Sequence, residues 1–205
     1  CTVVIDVAMT ETAEQADWVL PASSQYEKAE ATFFSAAFPE NMFHLRPAII
    51  EPMEGTLSEP EIHSRLVQAT GVLDDVDFNS LRGAAEEGLQ SFSEAFMTAA
   101  IENKAVSEYG AVVLYETLGK TLPWEKQGGA VLWFSCQMVA QKYPEQVRAA
   151  GHIGEGAELG NALFQAILDG EDGVIFTRHT HEEAFDFLTT PDQRINLDIK
   201  EMHTA

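Results

Sequence analysis

A mixed α and β fold, with a small and mostly parallel sheet beside a large helical section, is predicted by three patterns in this sequence. Short β-rich runs bounded by polar turns crowd residues 1–50: 2–5, 18–20, 32–35 and 42–49, the last closed by Pro47 and Pro52. From Phe78 to Pro144 the period changes to that of helices, with Leu81, Ala85 and Leu89 on one i, i+4 line and Phe92, Phe96 and Ala100 on another. After Asp169-Gly170-Glu171-Asp172-Gly173, a turn sequence, residues 174–177 and 195–199 again read as strands. The expected layout is a strand-rich part over 1–57, a helical section over 58–168, and a strand–helix–strand return to the sheet over 169–205.

The first strand ends at Asp6, and Thr10 and Thr12 follow in a polar turn, where residues 12–15 could form one helical turn. Ala16 and Asp17 lead into Trp18-Val19-Leu20, stopped by Pro21. Ser58 followed three residues later by Glu61 has the form of a capping box, with Ile62, Leu66 and Ala69 at helical spacing and Thr70-Gly71 as the stop. Residues 109–118 and 129–142 read as two apolar helices with Pro123 and Gly128-Gly129 between them. The glycines from 151 to 160 do not follow a strand, so they predict a loop ahead of a helix over 161–168 and not a dinucleotide fingerprint. Thr180 is placed to cap a helix running to Leu188, ended by Pro191.

Charge removes several function classes. Twelve Lys and Arg against 33 Asp and Glu give a net charge of −21. A surface that acidic repels nucleic-acid backbones and anionic membranes. Apolar stretches are interrupted well before membrane-spanning length, so no membrane insertion is expected. Cys1 and Cys136 are far apart, offer neither a zinc site nor a disulfide framework, and fit a reducing, cytoplasmic compartment. Cys136, beside the apolar run 131–134, reads as a buried hydrophobe. His179 and His181 read as part of a solvated loop, and no metal ligand set or Ser-His-Asp arrangement follows from the spacings.

Chemistry concentrates near the start of the chain. A carboxylate at a strand's carboxyl end, such as Asp6, accepts two hydrogen bonds side by side and suits the paired N–H donors of a guanine ring. Equally, it can cap the next turn. Lys28 supplies a cation suited to a phosphate or ring oxygen, or a partner for a neighbouring acid.

Taken in order, Val3 and Val4, Asp6, Thr10 and Thr12, Ala16 and Asp17, Val19-Leu20-Pro21, and Glu27-Lys28 resemble the molybdopterin-dependent oxidoreductases that carry two guanine dinucleotide pterins. The likeness covers roughly the first 70 residues. It implies an internal fragment of a large catalytic subunit of the formate dehydrogenase or nitrate reductase kind. The cofactor implied is molybdopterin guanine dinucleotide with molybdenum or tungsten. The family also implies cofactor contacts for Ile5, Asp6, Thr10 and Lys28, and for Glu59, whose rival role is to match charge at a helix N-terminus.

A four-iron, four-sulfur cluster is implied for the parent, but two isolated cysteines cannot hold one, so this piece alone is expected to be inactive. Its partners would be the rest of the parent polypeptide and an electron-transfer subunit. The apolar stretch from Thr32 to Phe38 departs from the family, which carries Asn, Gly and Arg there. Two other readings stand beside this one: a non-catalytic relative, such as the large iron–sulfur subunit of NADH dehydrogenase, and an acidic helical interaction module.

Overall fold

The computed structural model describes residues 1–32, 38–195 and 198. It is mixed α and β, with a small parallel sheet and a larger helical part. Strand β1 (Val3–Asp6) pairs in parallel with β2 (Trp18–Pro21), Val3 opposite Trp18 and Asp6 opposite Pro21. Helix α1 (Glu11–Glu14) makes the crossover between them, and the Thr10 hydroxyl caps it by accepting from Ala13 N at 3.3 Å.

A second sheet is antiparallel, in the order β3 (Glu30–Thr32), β4 (Glu40–Arg46), β5 (Val174–Arg178). The C-terminal strand expected at 174–177 is therefore present, but it joins β4 in this sheet and not the parallel pair. Residues 33–35 of the expected 32–35 strand lie outside the described residues, as does most of 195–199.

Helix α2 (Glu59–Ala69) starts at Ser58 with Pro60 in its first turn. The expected capping box does not form: Ser58 makes no side-chain cap bond, and the Glu61 carboxylate turns away from it toward Lys120, Arg65 and Tyr115. Helices α3 (Phe78–Glu87), α4 (Leu89–Glu102), α5 (Lys104–Glu108) and α6 (Gly110–Leu114) follow. Then come a π-helical turn (Tyr115–Gly119), a 3-10 segment (Trp124–Val131), α7 (Leu132–Lys142), α8 (Pro144–Ala149) and α9 (Ala157–Asp169). Helix α9 begins four residues before the expected start. No helix among the described residues is long and apolar enough to cross a membrane.

The core lies in the helical part. Phe92 and Phe96 of α4 meet Trp133 of α7 edge-on, each at 5.3 Å between ring centroids. Leu159, Leu163 and Phe164 of α9 are buried in the same cluster. Gly160 leaves room for the Gln137 amide between α7 and α9, since a Cβ there would sit 2.4 Å from Gln137 Oε1. Asn161 threads a polar network through this apolar contact: its Oδ1 accepts from Ser93 Oγ at 3.0 Å, Trp133 Nε1 at 2.9 Å and Gln137 Nε2 at 2.8 Å, and its Nδ2 donates to Leu89 O. Cys136 is buried as expected, and burial pushes its thiol up to about 12.

Two expectations near the C-terminus are corrected. His179 is buried and not solvated, stacked on Phe38 and edge-on to Tyr143 and Phe187. Residues 182–187 form a 3-10 turn with no side-chain cap from Thr180, whose backbone N–H instead donates to Glu183 Oε2 at 2.6 Å.

Candidate functional site

The carboxyl ends of β1 and β2 form one rim. Ala22 N donates to Asp6 O at 3.0 Å, and Ala22 bridges in parallel to Leu57. Ser23 N donates to Leu57 O at 2.9 Å, so the segment that leads into α2 runs alongside the strand ends. In parallel sheets this edge is where ligands are held.

Asp6 is half-buried on that rim. Its Oδ1 accepts from Val7 N at 2.7 Å and Ala8 N at 3.3 Å, and its Oδ2 accepts from the Thr10 hydroxyl at 3.2 Å. A carboxylate has about four acceptor positions, so one remains on Oδ2. The Thr10 and Ala8 bonds are long and easily exchanged. Asp6 therefore organises its own turn and retains capacity for one outside donor, or two if Thr10 turns away. Thr10 is held in that turn as both Asp6 partner and helix cap, and Ile5 lies one residue before Asp6 in β1, half-buried.

Lys28 and Glu59 are brought together. The Lys28 ammonium bonds the Glu59 carboxylate and lies 3.5 Å from Glu30 Oε1, with its own side chain 13% exposed. Glu59, in the first turn of α2, thus serves Lys28 and the helix N-terminus together. Glu27 points elsewhere. Its Oε2 accepts from Ser24 N at 2.6 Å and its Oε1 from Met53 N at 2.8 Å, and these bonds hold its carboxyl below the usual range. Glu27 is a clamp between two loops.

Lys28 lines a cleft of about 190 Å³ between the strand-rich part and the helices, with Ser23, Thr56, Glu61, Tyr115 and Trp124. The far wall holds a cluster with no warning in the sequence. Glu61 accepts from Lys120 Nζ at 2.8 Å, the Tyr115 hydroxyl at 2.9 Å and Arg65 Nε at 2.7 Å. Lys120 sits 4.3 Å from the Tyr115 ring centroid. Tyr115 and Lys120 are five residues apart, a spacing that shares a face only in π-helical register, which this turn adopts.

Burial opposes the charge on Glu61, but the bonds from Lys120, Arg65 and Tyr115 overcome it and hold its carboxyl down to about 2. Burial, together with the bond to Glu61, pushes the Tyr115 phenol up, so at neutral pH it is a donor. These charged groups are already matched in pairs, which suits them to shaping a wall more than to moving protons.

The pH dependence follows from the sign of the Glu61 shift. A carboxylate depressed in the fold contributes stability above its unfolded value near 4.5, lost as pH falls toward 2. With solvent screening, the contribution is on the order of 1–2 kcal/mol. Glu61→Gln should therefore be less stable than the parent sequence at pH 6, and the gap should narrow by pH 3. Urea unfolding at both values checks this; a gap independent of pH contradicts it.

No known protein family, curated protein or solved structure matches the chain. Among the described residues, no group of three or more His, Cys, Asp or Glu side chains is arranged to hold a metal ion.

Proposed function

We propose that this chain is part of a molybdopterin-dependent oxidoreductase and forms a section of the wall that holds one guanine dinucleotide pterin. The observation that carries the reading is Asp6 at the carboxyl end of a parallel strand, on an accessible rim, with an acceptor position still open. An acceptor-only carboxylate there fits guanine's N–H donors. Lys28, at the cleft behind the rim, would offer its ammonium to a cofactor oxygen by exchanging Glu59 or Glu30 for it.

The parallel pair fits the part of this reading that makes the chain a section of a larger fold. Parallel sheets are normally covered on both faces, and a two-stranded sheet alone is marginal. Here Trp18 is 66% exposed and its register partner Val3 half-exposed. Further strands and a covering layer from a longer polypeptide would complete this sheet. When bound, the cofactor's metal–dithiolene supplies the redox chemistry. The residues of this chain bind, orient and exclude water.

The test is to denature the purified full-length parent and assay the supernatant for guanine nucleotide and for molybdenum or tungsten. Stoichiometric amounts of both are expected. Neither being present would leave the non-catalytic relative as the better reading.

A further inference from the structure

The cleft beside Lys28 has features that the cofactor wall does not use. One wall comes from the 3-10 segment Trp124–Val131, in which residues three apart eclipse, so Trp124 and Gln127 share a face, and both line the cleft. Trp124 is 40% exposed, so part of its indole stays uncovered. Pro60 and Ala29 meet the same segment at Gly128, where a Cβ would lie 3.5 Å from Pro60 Cγ and 3.9 Å from Ala29 Cβ. An aromatic wall over small and ring side chains favours a flat guest.

Charge narrows the class of guest. The charged side chains lining the cleft among the described residues are Glu27, Lys28 and Glu61. Each is engaged: Glu27 by Ser24 N and Met53 N, Lys28 by Glu59 and Glu30, Glu61 by Lys120, Arg65 and Tyr115. A charged ligand would have to break one of these pairings, and a phosphate would also meet a chain carrying −21. Neutral polar groups remain. Among the described residues the Gln127 amide and the Ser58 hydroxyl have no hydrogen-bond partner. The Thr56 hydroxyl donates to Met53 O at 2.9 Å, so Ser23 donates to Thr56 Oγ1 at 3.3 Å and its own oxygen keeps an acceptor position.

The amide selects among neutral rings. A glutamine side chain offers a donor and an acceptor side by side, which match the N7 and N6 edge of adenine. An aromatic ring at the same site supplies the stacking that holds a base. At about 190 Å³ the cleft is smaller than drug-sized sites of roughly 300–1,000 Å³, so a single ring system suits it and a dinucleotide does not.

We infer that this cleft binds the adenine ring of a nucleoside that carries no phosphate, stacked against Trp124 and hydrogen-bonded to the Gln127 amide. The inference does not rest on the cofactor reading, which uses Lys28 alone of the residues lining the cleft.

The test is equilibrium dialysis of the full chain against tritiated adenosine. One saturable site is expected, with unlabelled adenine competing for it and AMP binding more weakly than adenosine. Gln127→Leu removes the donor and the acceptor while keeping an apolar side chain of similar reach, and Gly128→Ala adds a methyl in ordinary contact with Pro60 and Ala29. Each should weaken adenosine binding about tenfold. Gln127 has no side-chain partner to lose and the added methyl meets no clash, so both variants should keep their unfolding midpoints, which circular dichroism monitors. Four results would overturn the inference: no saturable adenosine binding below about 1 mM, no competition by excess adenine, tighter binding of AMP than of adenosine, or unchanged affinity in both folded variants.

Discussion

Replacing Asn161 with alanine should lower the stability of the chain by about 3 kcal/mol, the largest effect we expect from any single truncation. Ser93 would keep its bond to Leu89 O at 2.7 Å, and Gln137 a long one to Ala157 O. Among the described residues the Trp133 indole N–H would keep no partner, because it donates there to Asn161 Oδ1 and its side chain is fully buried. An orphaned buried donor is worth roughly 1–3 kcal/mol, and the space left between α7 and α9 adds to it. For a chain of this size, about 3 kcal/mol corresponds to a fall of roughly 6–12 °C in the thermal midpoint. Urea unfolding should show a lower midpoint at unchanged slope. A thermal shift below about 2 °C would mean that the network does not hold the helices together.

Local signals in the sequence carried much of the fold. The stop at Pro21, the α2 start at Ser58, and the buried stripe of Phe92 and Phe96 all follow from period and punctuation within one element. Failures came where a distant residue outbid a near one. Glu61 had the spacing to close a capping box with Ser58, but the ammonium of Lys120, 59 positions away, is the stronger partner for a carboxylate. Likewise, residues 174–177 read as a strand, yet nothing local specifies that they pair antiparallel with β4.

The candidate site divides the same way. Asp6 and Thr10 are four residues apart, and their turn was legible. Lys28 and Glu59 each stand out in the sequence, but their pairing across 31 positions emerges only from how the loop after β2 bridges to Leu57. Tyr115 and Lys120 give no signal in the sequence, because their five-residue spacing faces one direction only in a π-helical turn, a geometry that composition does not announce. His179 has the polar sequence neighbours of a solvated loop, Thr180, His181 and Glu182, while the rings that bury it come from Phe38, Tyr143 and Phe187.

The second large effect concerns Asp6, and the bonds it makes sharpen the choice of variant. Asparagine keeps a side-chain carbonyl for Val7 N and Ala8 N, and caps turns about as well as aspartate does. It also places an amide donor where guanine presents donors. Asp6→Asn thus separates the two roles that alanine would remove together. Hydrogen bonds to a charged group are worth about 1.5–3 kcal/mol, so losing this recognition should weaken cofactor retention roughly ten- to a hundredfold. Lys28→Ala should have a smaller effect, since Glu59 and Glu30 already neutralise the ammonium.

Guanine nucleotide released on denaturing the full-length Asp6→Asn parent, compared with the wild-type protein purified in parallel, is the most direct measurement. The cofactor-wall reading predicts an unchanged unfolding midpoint with nucleotide content falling to about a tenth or less. Wild-type nucleotide content in a normally folded variant would contradict it and leave Asp6 as the cap of its own turn.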